Sequence, residues 1–418
     1  MRIFKFGGAS VKNAEGVKNL LHILKLHGTT KKVVVISAMG KMTNALEKVV
    51  DFYFEEQEIA QIKIKEIHDF HQQICADLFE KSHPVNQRIT NFIKELKTFL
   101  KENKSDNYDF VYDQVVSFGE LMSTTIVSEF LKENKIQNTW LDARELIKTN
   151  SVFRDAKVDW EITEKKINTH INSEELSLTQ GFITSDLVGN TTTLGREGSD
   201  YTAGILAYCL NAKEVCIWKN VEGVLNADPQ EFSDTVLLKQ ISYQEAIELA
   251  FYGASVIHPK TLQPLQRKKI PLFVKSFYCP ENQGTSVCEG QKIIPEIPCY
   301  IVKKDLILLS ISTLDFSFFV EENISEVFAL FHQYQIKVHL IQNSAISFSV
   351  CIDNKFRNAD ILIAQLQQKF GVTYNKEVSL YTIRHFNQAA IERIRKNRSV
   401  LLEQRTRGTI QFVTKEKK

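Results

Sequence analysis

The strongest constraint on this chain is its opening. Ile3-Phe4-Lys5-Phe6 reads as a short strand that stops at Gly7-Gly8. Residues 13–27 then carry apolar side chains at helical spacing (Val17, Leu20, Leu21, Ile23, Leu24), and Val33-Val34-Val35-Ile36 is an unbroken β-branched run. Such a run suits a strand covered on both faces, and strand, helix, strand in that order calls for a parallel sheet. The expected fold class is therefore α/β. At ~150 residues per domain, a chain of 418 residues has room for two or three domains.

Composition narrows the class further. Apolar residues make up 43% and charged residues 24%, with 17 glycines and 8 prolines, which excludes collagen-like, low-complexity and wholly disordered chains. The 52 Lys and Arg against 50 Asp and Glu leave a net charge of +2, so no global field gathers nucleic acid or an acidic membrane surface. No run approaches the ~18 apolar residues of a bilayer span, and the opening is too quickly broken by glycine to be a signal peptide. Seven cysteines, an odd number without a C-x-x-C pair, are expected to be reduced core thiols of a cytoplasmic protein.

Residues 45–135 read as mostly helical, with a polar break near 101–109, and form an insertion beside the sheet. Strand signals return at 138–141, 178–183, 215–218 and 272–276, with helices over 201–211, 243–252 and 259–267. Cys279–Pro298 holds three prolines and two glycines and is the expected linker. Beyond residue 300 the pattern is β-α-β-β-α-β, the ferredoxin-like order. A second, shorter round follows over 378–413, and Cys299–Lys303 is placed to supply its missing last strand. The expected domains are 1–292, then 315–375, then a split domain made of 299–314 with 376–418.

Three glycine-bearing turns follow candidate strands: Gly7-Gly8, Ser37-Ala38-Met39-Gly40, and Gly195-Arg196-Glu197-Gly198-Ser199-Asp200. In an open parallel sheet the strand C-termini converge on one crevice, where glycines let backbone N–H groups reach phosphate oxygens. Neither common nucleotide fingerprint, G-x-x-x-x-G-K-[ST] nor G-x-G-x-x-G, is present. Lys5, inside a strand, is costly if unpaired; it either lies on an edge strand in solvent or aims at a transferring phosphate. Arg196 and Asp200, four apart, form either an i,i+4 ion pair or a carboxylate clamp with an acid that orients cations. Glu120 reads as a first-turn helix acid, or as the partner of a substrate ammonium. His258, before Pro259, reads as a structural contact.

With these residues in place the chain resembles the aspartate kinases. The resemblance rests on Lys5-Phe6-Gly7-Gly8-x-Ser10, Ser37-Ala38-Met39-Gly40 with Thr43-Asn44, and Ser117-Phe118-Gly119-Glu120-x-x-Ser123. It also rests on Gln180-Gly181-Phe182-Ile183 and Thr191-Thr192-Thr193-Leu194-Gly195-Arg196-x-Gly198-Ser199-Asp200. It implies an amino-acid-kinase fold, an open mostly parallel sheet with helices on both faces, followed by two ferredoxin-like ACT domains, the second split and abbreviated. It implies transfer of the ATP γ-phosphoryl group to the β-carboxylate of L-aspartate, with Mg²⁺, as the first step of lysine, threonine and methionine biosynthesis. A carboxylate nucleophile needs no general base, which suits a site without a catalytic histidine.

By the same resemblance Lys5 neutralises phosphoryl oxygens, Gly7 and Gly8 donate N–H groups, Arg196 holds the substrate α-carboxylate and Glu120 its ammonium. Ser37, Thr193 and Ser199 complete the pocket, and Asp200 organises the cations or the Mg²⁺; no dedicated metal-ligand set is assigned. The nucleotide region adds Lys219, Asn220, Leu225, Gln230, Ser255 and Lys260. Here the chain departs from the family: Lys219-Asn220, Gln230 and Ser255 stand where Thr-Asp, Arg and Lys are usual, and Lys219 and Lys260 are the candidates to restore the lost charge. An amino-acid effector is expected near Val338, His339, Asn343 and Ser344, where acidic residues of lysine-sensitive members are missing, so lysine inhibition is expected to be weak. The resemblance further implies a homodimer or a dimer of dimers, and neither nucleic acid nor membrane as partner. A catalytically impaired amino-acid sensor and a kinase for another amino acid are the alternative readings.

Overall fold

A computed structural model describes all residues except 255, 256, 291, 316, 356 and 418. They fall into two compact units, Met1–Val224 with Leu237–Ile247 and Val256–Ile293, and Leu225–Val236 with Glu248–Ser255 and Ile294–Lys418. Among the described residues no helix is long and apolar enough to cross a membrane.

The first unit is built on an eight-stranded sheet. Its strands are β1 (Arg2–Phe6), β2 (Lys32–Ile36), β3 (Thr139–Leu141), β4 (Leu176–Gln180), β5 (Glu214–Lys219), β6 (Gln240–Ser242), β7 (Leu272–Ser276) and β8 (Thr285–Cys288), in the spatial order β6-β8-β7-β5-β1-β2-β4-β3. All pairings are parallel except β7 with β8. β1 leads to β2 on one side and meets β5 on the other, so the crevice where the strand order diverges opens at its C-terminal end. Strand alternation sends Phe4 and Phe6 into the main core, and Lys5, between them, to the opposite face.

Helices α1 (Ala14–His27), α2 (Met42–Glu55), α3 (Gln57–Leu78), α4 (Val85–Glu102) and α5 (Tyr108–Glu133) cover the Phe4 face and share its core. Asn13 caps α1 by accepting from the Gly16 N–H, and Asn107 caps α5 by accepting from Phe110, each satisfying an orphan donor of the first turn. The expected helical insertion is thus α2–α5, and the polar break near 101–109 is the α4–α5 connection. The face carrying Lys5 is covered by α6 (Gly198–Cys209). Gly181 makes that docking feasible: a Cβ there would lie 2.4 Å from the Ser199 Cβ.

Two expectations change. Lys5 is not on an edge, because β1 is flanked on both sides. Cys279–Pro298 is not simply a linker: Thr285–Cys288 within it pairs into the main sheet, because Gly284 permits the close turn beside Val274 that folds the segment back on β7.

The second unit holds a six-stranded sheet with β9 (Cys299–Ser312), α7 (Glu321–Gln333), β10 (Val338–Asn343), β11 (Ser347–Ile352), α8 (Ala359–Leu366), β12 (Gly371–Arg384), α9 (Gln388–Arg395), β13 (Arg398–Arg405) and β14 (Thr409–Glu416), in the order β10-β11-β9-β12-β14-β13. β9 and β12 each serve both rounds of the ferredoxin-like pattern, and their antiparallel ladder slips between Lys303 and Leu308. Asp305 and Glu377, both in the left-handed region (φ 58), mark where the rounds join. Cys299–Lys303 pairs with Leu380–Arg384 and so fills the last-strand position of the second round.

Candidate active site

Lys5 is buried, and its register neighbours are Val35 and Ile217. Neither can balance a charge, so the counter-ion must come from the helix above. It is Asp200, in the first turn of α6, with Oδ1 2.5 Å from the Lys5 ammonium. Lys219, the last residue of β5, faces the other oxygen at 3.5 Å. Burial alone would raise the Asp200 pKa; the charges and hydrogen bonds of Lys5 and Lys219 outweigh it and hold the carboxyl below its usual range. The result is two ammonium groups on one carboxylate at the C-terminal ends of adjacent strands.

The glycine turns surround this cluster. A Cβ on Gly7 would sit 3.5 Å from the Lys5 ammonium, so glycine leaves that cation open on one side. A Cβ on Gly8 would lie 2.4 Å from the Ala38 carbonyl oxygen, so only glycine lets the first turn meet the Ser37–Gly40 turn, which it does through the Gly40 N–H donating to the Gly8 carbonyl at 2.9 Å. Ser37 is held in turn by the Ser123 hydroxyl, which donates to its carbonyl at 2.8 Å.

Glu120 lies in the middle of α5, not in a first turn. The expectation failed because α5 is buried nearly all round, so its sequence lacks the polar stripe that marks helix phase. Its Oε1 accepts from the Ala38 N–H at 3.3 Å, and its Oε2 has no hydrogen-bond partner among the described residues. Burial pushes its pKa up to about 8. This is a deeply buried carboxyl with one oxygen awaiting a donor.

Arg196 and Asp200 do not form an ion pair, because Asp200 is engaged by the two lysines. The exposed Arg196 guanidinium stands in the loop just before α6 and, among the described residues, has no hydrogen-bond or ion-pair partner. Ser199 is nearly buried against Gly181. Thr193 is fully buried, and its hydroxyl donates to Asp113 Oδ1 at 2.7 Å. Asp113 was missed in the sequence; nothing marks it out within the apolar run of α5.

The nucleotide candidates divide. Lys219 joins the cluster, and Asn220 accepts from the Ser10 hydroxyl at 3.3 Å. Lys260, expected to refill the lost charge, is ion-paired with Asp155. Half-buried Leu225 and exposed Gln230, whose N–H donates to Asp228 Oδ1 at 2.8 Å, belong to the second unit. Ser255 lies outside the described residues.

At the effector candidates, His339 Nδ1 is 3.0 Å from the Lys303 ammonium and its Nε2 is 3.4 Å from Asp353 Oδ2. Burial, then Lys303, hold His339 below its ordinary pKa; burial, then Lys337, push Lys303 down to about 8. The neutral ring therefore accepts from Lys303 and presents Nε2–H to Asp353. Val338 is half-buried, Asn343 is exposed, and the Ser344 N–H donates to the Ser347 carbonyl.

A mostly parallel sheet with a cationic cluster at its strand ends and glycine turns on both sides is an α/β architecture with room for an anionic ligand at the strand C-termini. The chain belongs to the amino acid kinase family, whose pattern matches residues 1–276, and to its aspartokinase branch. It is 32% identical to lysine-sensitive aspartokinase 3 of Escherichia coli, over 84% of this chain and 78% of the relative. It is 33% identical to the bifunctional aspartokinase/homoserine dehydrogenase of Buchnera aphidicola, over 69% of this chain but only 36% of that longer relative. Two solved structures of E. coli aspartokinase III, one with lysine and aspartate and one with aspartate and ADP, superpose with TM-scores of 0.83 and 0.81 at 27% identity; both cover 99% of this chain, and 95% and 96% of theirs.

Glu120 generates a prediction. Its folded pKa, about 8, lies above the ordinary 4.5. The folded state therefore binds more protons between those values, and stability falls as pH rises through that window. Glu120→Gln removes this dependence. Without substrate, the variant is expected to unfold at a higher temperature than wild type at pH 8, with the difference shrinking toward pH 5. Thermal unfolding followed by circular dichroism checks it; parallel pH curves for the two proteins contradict it.

Proposed function

We infer that the protein transfers the γ-phosphoryl group of ATP to the β-carboxylate of L-aspartate, giving ADP and 4-phospho-L-aspartate. The observation that carries this reading is the buried Lys5–Asp200–Lys219 cluster beside Gly7. A β-carboxylate oxygen attacks the γ-phosphorus, the bond to the β,γ-bridging oxygen breaks, and the electron pair leaves on ADP. The nucleophile is ionised at neutral pH, so the protein's work is positioning and charge neutralisation.

Each residue has one task in this reading. Lys5 lies against the transferring phosphoryl oxygens, Lys219 supplies the second positive charge, and Asp200 fixes both ammonium groups. Gly7 and Gly8 offer backbone N–H groups to the phosphates. Arg196 takes the α-carboxylate of aspartate in a bidentate grip, and the free Oε2 of Glu120 takes its ammonium. Ser37 and Ser199 line the acceptor pocket, and Thr193 forms its wall from behind.

Mg²⁺ arriving with ATP would neutralise charge on its phosphates. Asp200, the acid nearest this chemistry, has both oxygens turned to lysines, so it does not fit as a resident metal ligand. No step of the reaction is assigned to a protein-held metal.

The E. coli relative is named as lysine-sensitive. In this chain the Lys303 ammonium already stands beside His339, and a second ammonium there meets like-charge repulsion. Lysine is therefore a weak effector of this protein.

Two outcomes follow. In a hydroxamate assay with ATP, Mg²⁺ and L-aspartate, Lys5→Met is expected to lose ~10²–10³-fold in kcat with the KM for aspartate changed only a few-fold; a wild-type protein that forms no aspartyl hydroxamate contradicts the whole reading. In the same assay millimolar lysine is expected to leave most of the activity, whereas inhibition at micromolar lysine contradicts the effector assignment.

A further inference from the structure

Asp113 is fully buried on α5, seven residues before Glu120 and so two turns away on the same helix face. Its Oδ2 accepts from the Thr193 and Arg154 N–H groups, both at 2.9 Å, and its Oδ1 accepts from the Thr193 hydroxyl at 2.7 Å. No cation contacts it within salt-bridge distance among the described residues. Burying a carboxylate on neutral donors alone is expensive, and the gain here is geometric: one side chain ties together two segments that are 39 residues apart.

Those segments converge on Arg196. Gly195 separates Thr193-Leu194 from Arg196 and has φ +76; a Cβ there would meet the Arg154 carbonyl at 2.9 Å and Asp155 Oδ1 at 2.8 Å. The Arg154–Asp155 turn therefore presses directly on the peptide that leads to Arg196. The Ala156 N–H closes the contact by donating to the Thr193 carbonyl at 2.9 Å. The turn is fixed from outside as well: the Arg154 guanidinium lies 4.0 Å from the Tyr112 ring centre and pairs with Glu47 of α2 at 3.0 Å. The Arg196 side chain, by contrast, has no partner of its own among the described residues, so only its backbone sets its direction.

We propose that Asp113 is a positioning residue for the acceptor substrate: it holds the Thr193 strand end and the Arg154 turn so that Arg196 meets the α-carboxylate of L-aspartate at a fixed distance from Glu120. The proposal rests on the aspartate-kinase reading above. α5 then sets both ends of the acceptor pocket, Glu120 directly and Arg196 through Asp113. A rigid helix that spaces an ammonium site from a carboxylate site selects the head group of an α-amino acid by geometry.

The test is a double-mutant cycle read by steady-state kinetics. Asp113→Asn keeps the volume but loses the three-fold acceptor. It is expected to raise the KM for L-aspartate about ten- to a hundred-fold, with a smaller change in kcat and an unchanged KM for ATP. Thr193→Val, which removes only the hydroxyl donor and preserves the fold, is expected to shift the KM for aspartate in the same direction by less. In an Arg196→Ala background neither substitution should raise that KM further. An unchanged KM for aspartate in both single variants, equal effects on the KM of ATP, or full additivity with Arg196→Ala overturns the proposal. Absence of aspartate phosphorylation by the wild type instead overturns the underlying reading, so the two failures are distinguishable.

Discussion

A lysine in the middle of a central parallel strand is the constraint around which the first unit is arranged. Lys5 has valine and isoleucine beside it in the sheet and is buried. Removing the partner of such a buried charge costs ~3–5 kcal/mol, and even an intact pair is weak evidence of net stabilisation. The Lys5–Asp200 pair is therefore better explained by what it does than by the stability it adds. Docking α6 over β1 supplies the acid, Gly181 lets α6 come close enough, and β5 brings Lys219 to the same carboxylate.

In the proposed reading, the pocket for the acceptor is organised by a second element, α5. Glu120 and Asp113 are both buried carboxyl groups whose pKa values burial raises, to about 8 and about 6. They differ in satisfaction. Asp113 accepts from three donors, whereas Glu120 keeps one oxygen without a donor among the described residues. In the proposed reading the saturated one positions and the unsatisfied one binds. Local cost of this kind concentrates at functional sites, where a rigid scaffold elsewhere sustains it.

The architecture was readable because it is written in local periodicity. The β-branched run Val33–Ile36, the helical spacing of 13–27 and the full and the shortened ferredoxin-like rounds after residue 300 are all built from signals a few residues long. Lys5 was conspicuous because a charge in an apolar strand breaks the pattern. What failed depended on distant partners. Arg196 and Asp200 are an i,i+4 pair by spacing, yet Asp200 is claimed by residues from two strands. The helix phase of Glu120 was hidden because α5 is buried on nearly every side, and Asp113 was hidden in the same run. Thr285–Cys288 was lost in a proline-bearing segment because a four-residue strand inserted between β6 and β7 has little pattern of its own. Lys260 faced an acid, Asp155, that no local spacing connects with it.

The central claim is that Asp200 holds two lysine ammonium groups ready for a transferring phosphoryl group. Steady-state kinetics of Asp200→Asn, with ATP and L-aspartate varied independently, test it most directly. The account predicts a kcat lower by ~10²–10³-fold, with the KM for L-aspartate changed only a few-fold, because the carboxylate acts on the cations and not on the acceptor. A variant that retains wild-type kcat contradicts it.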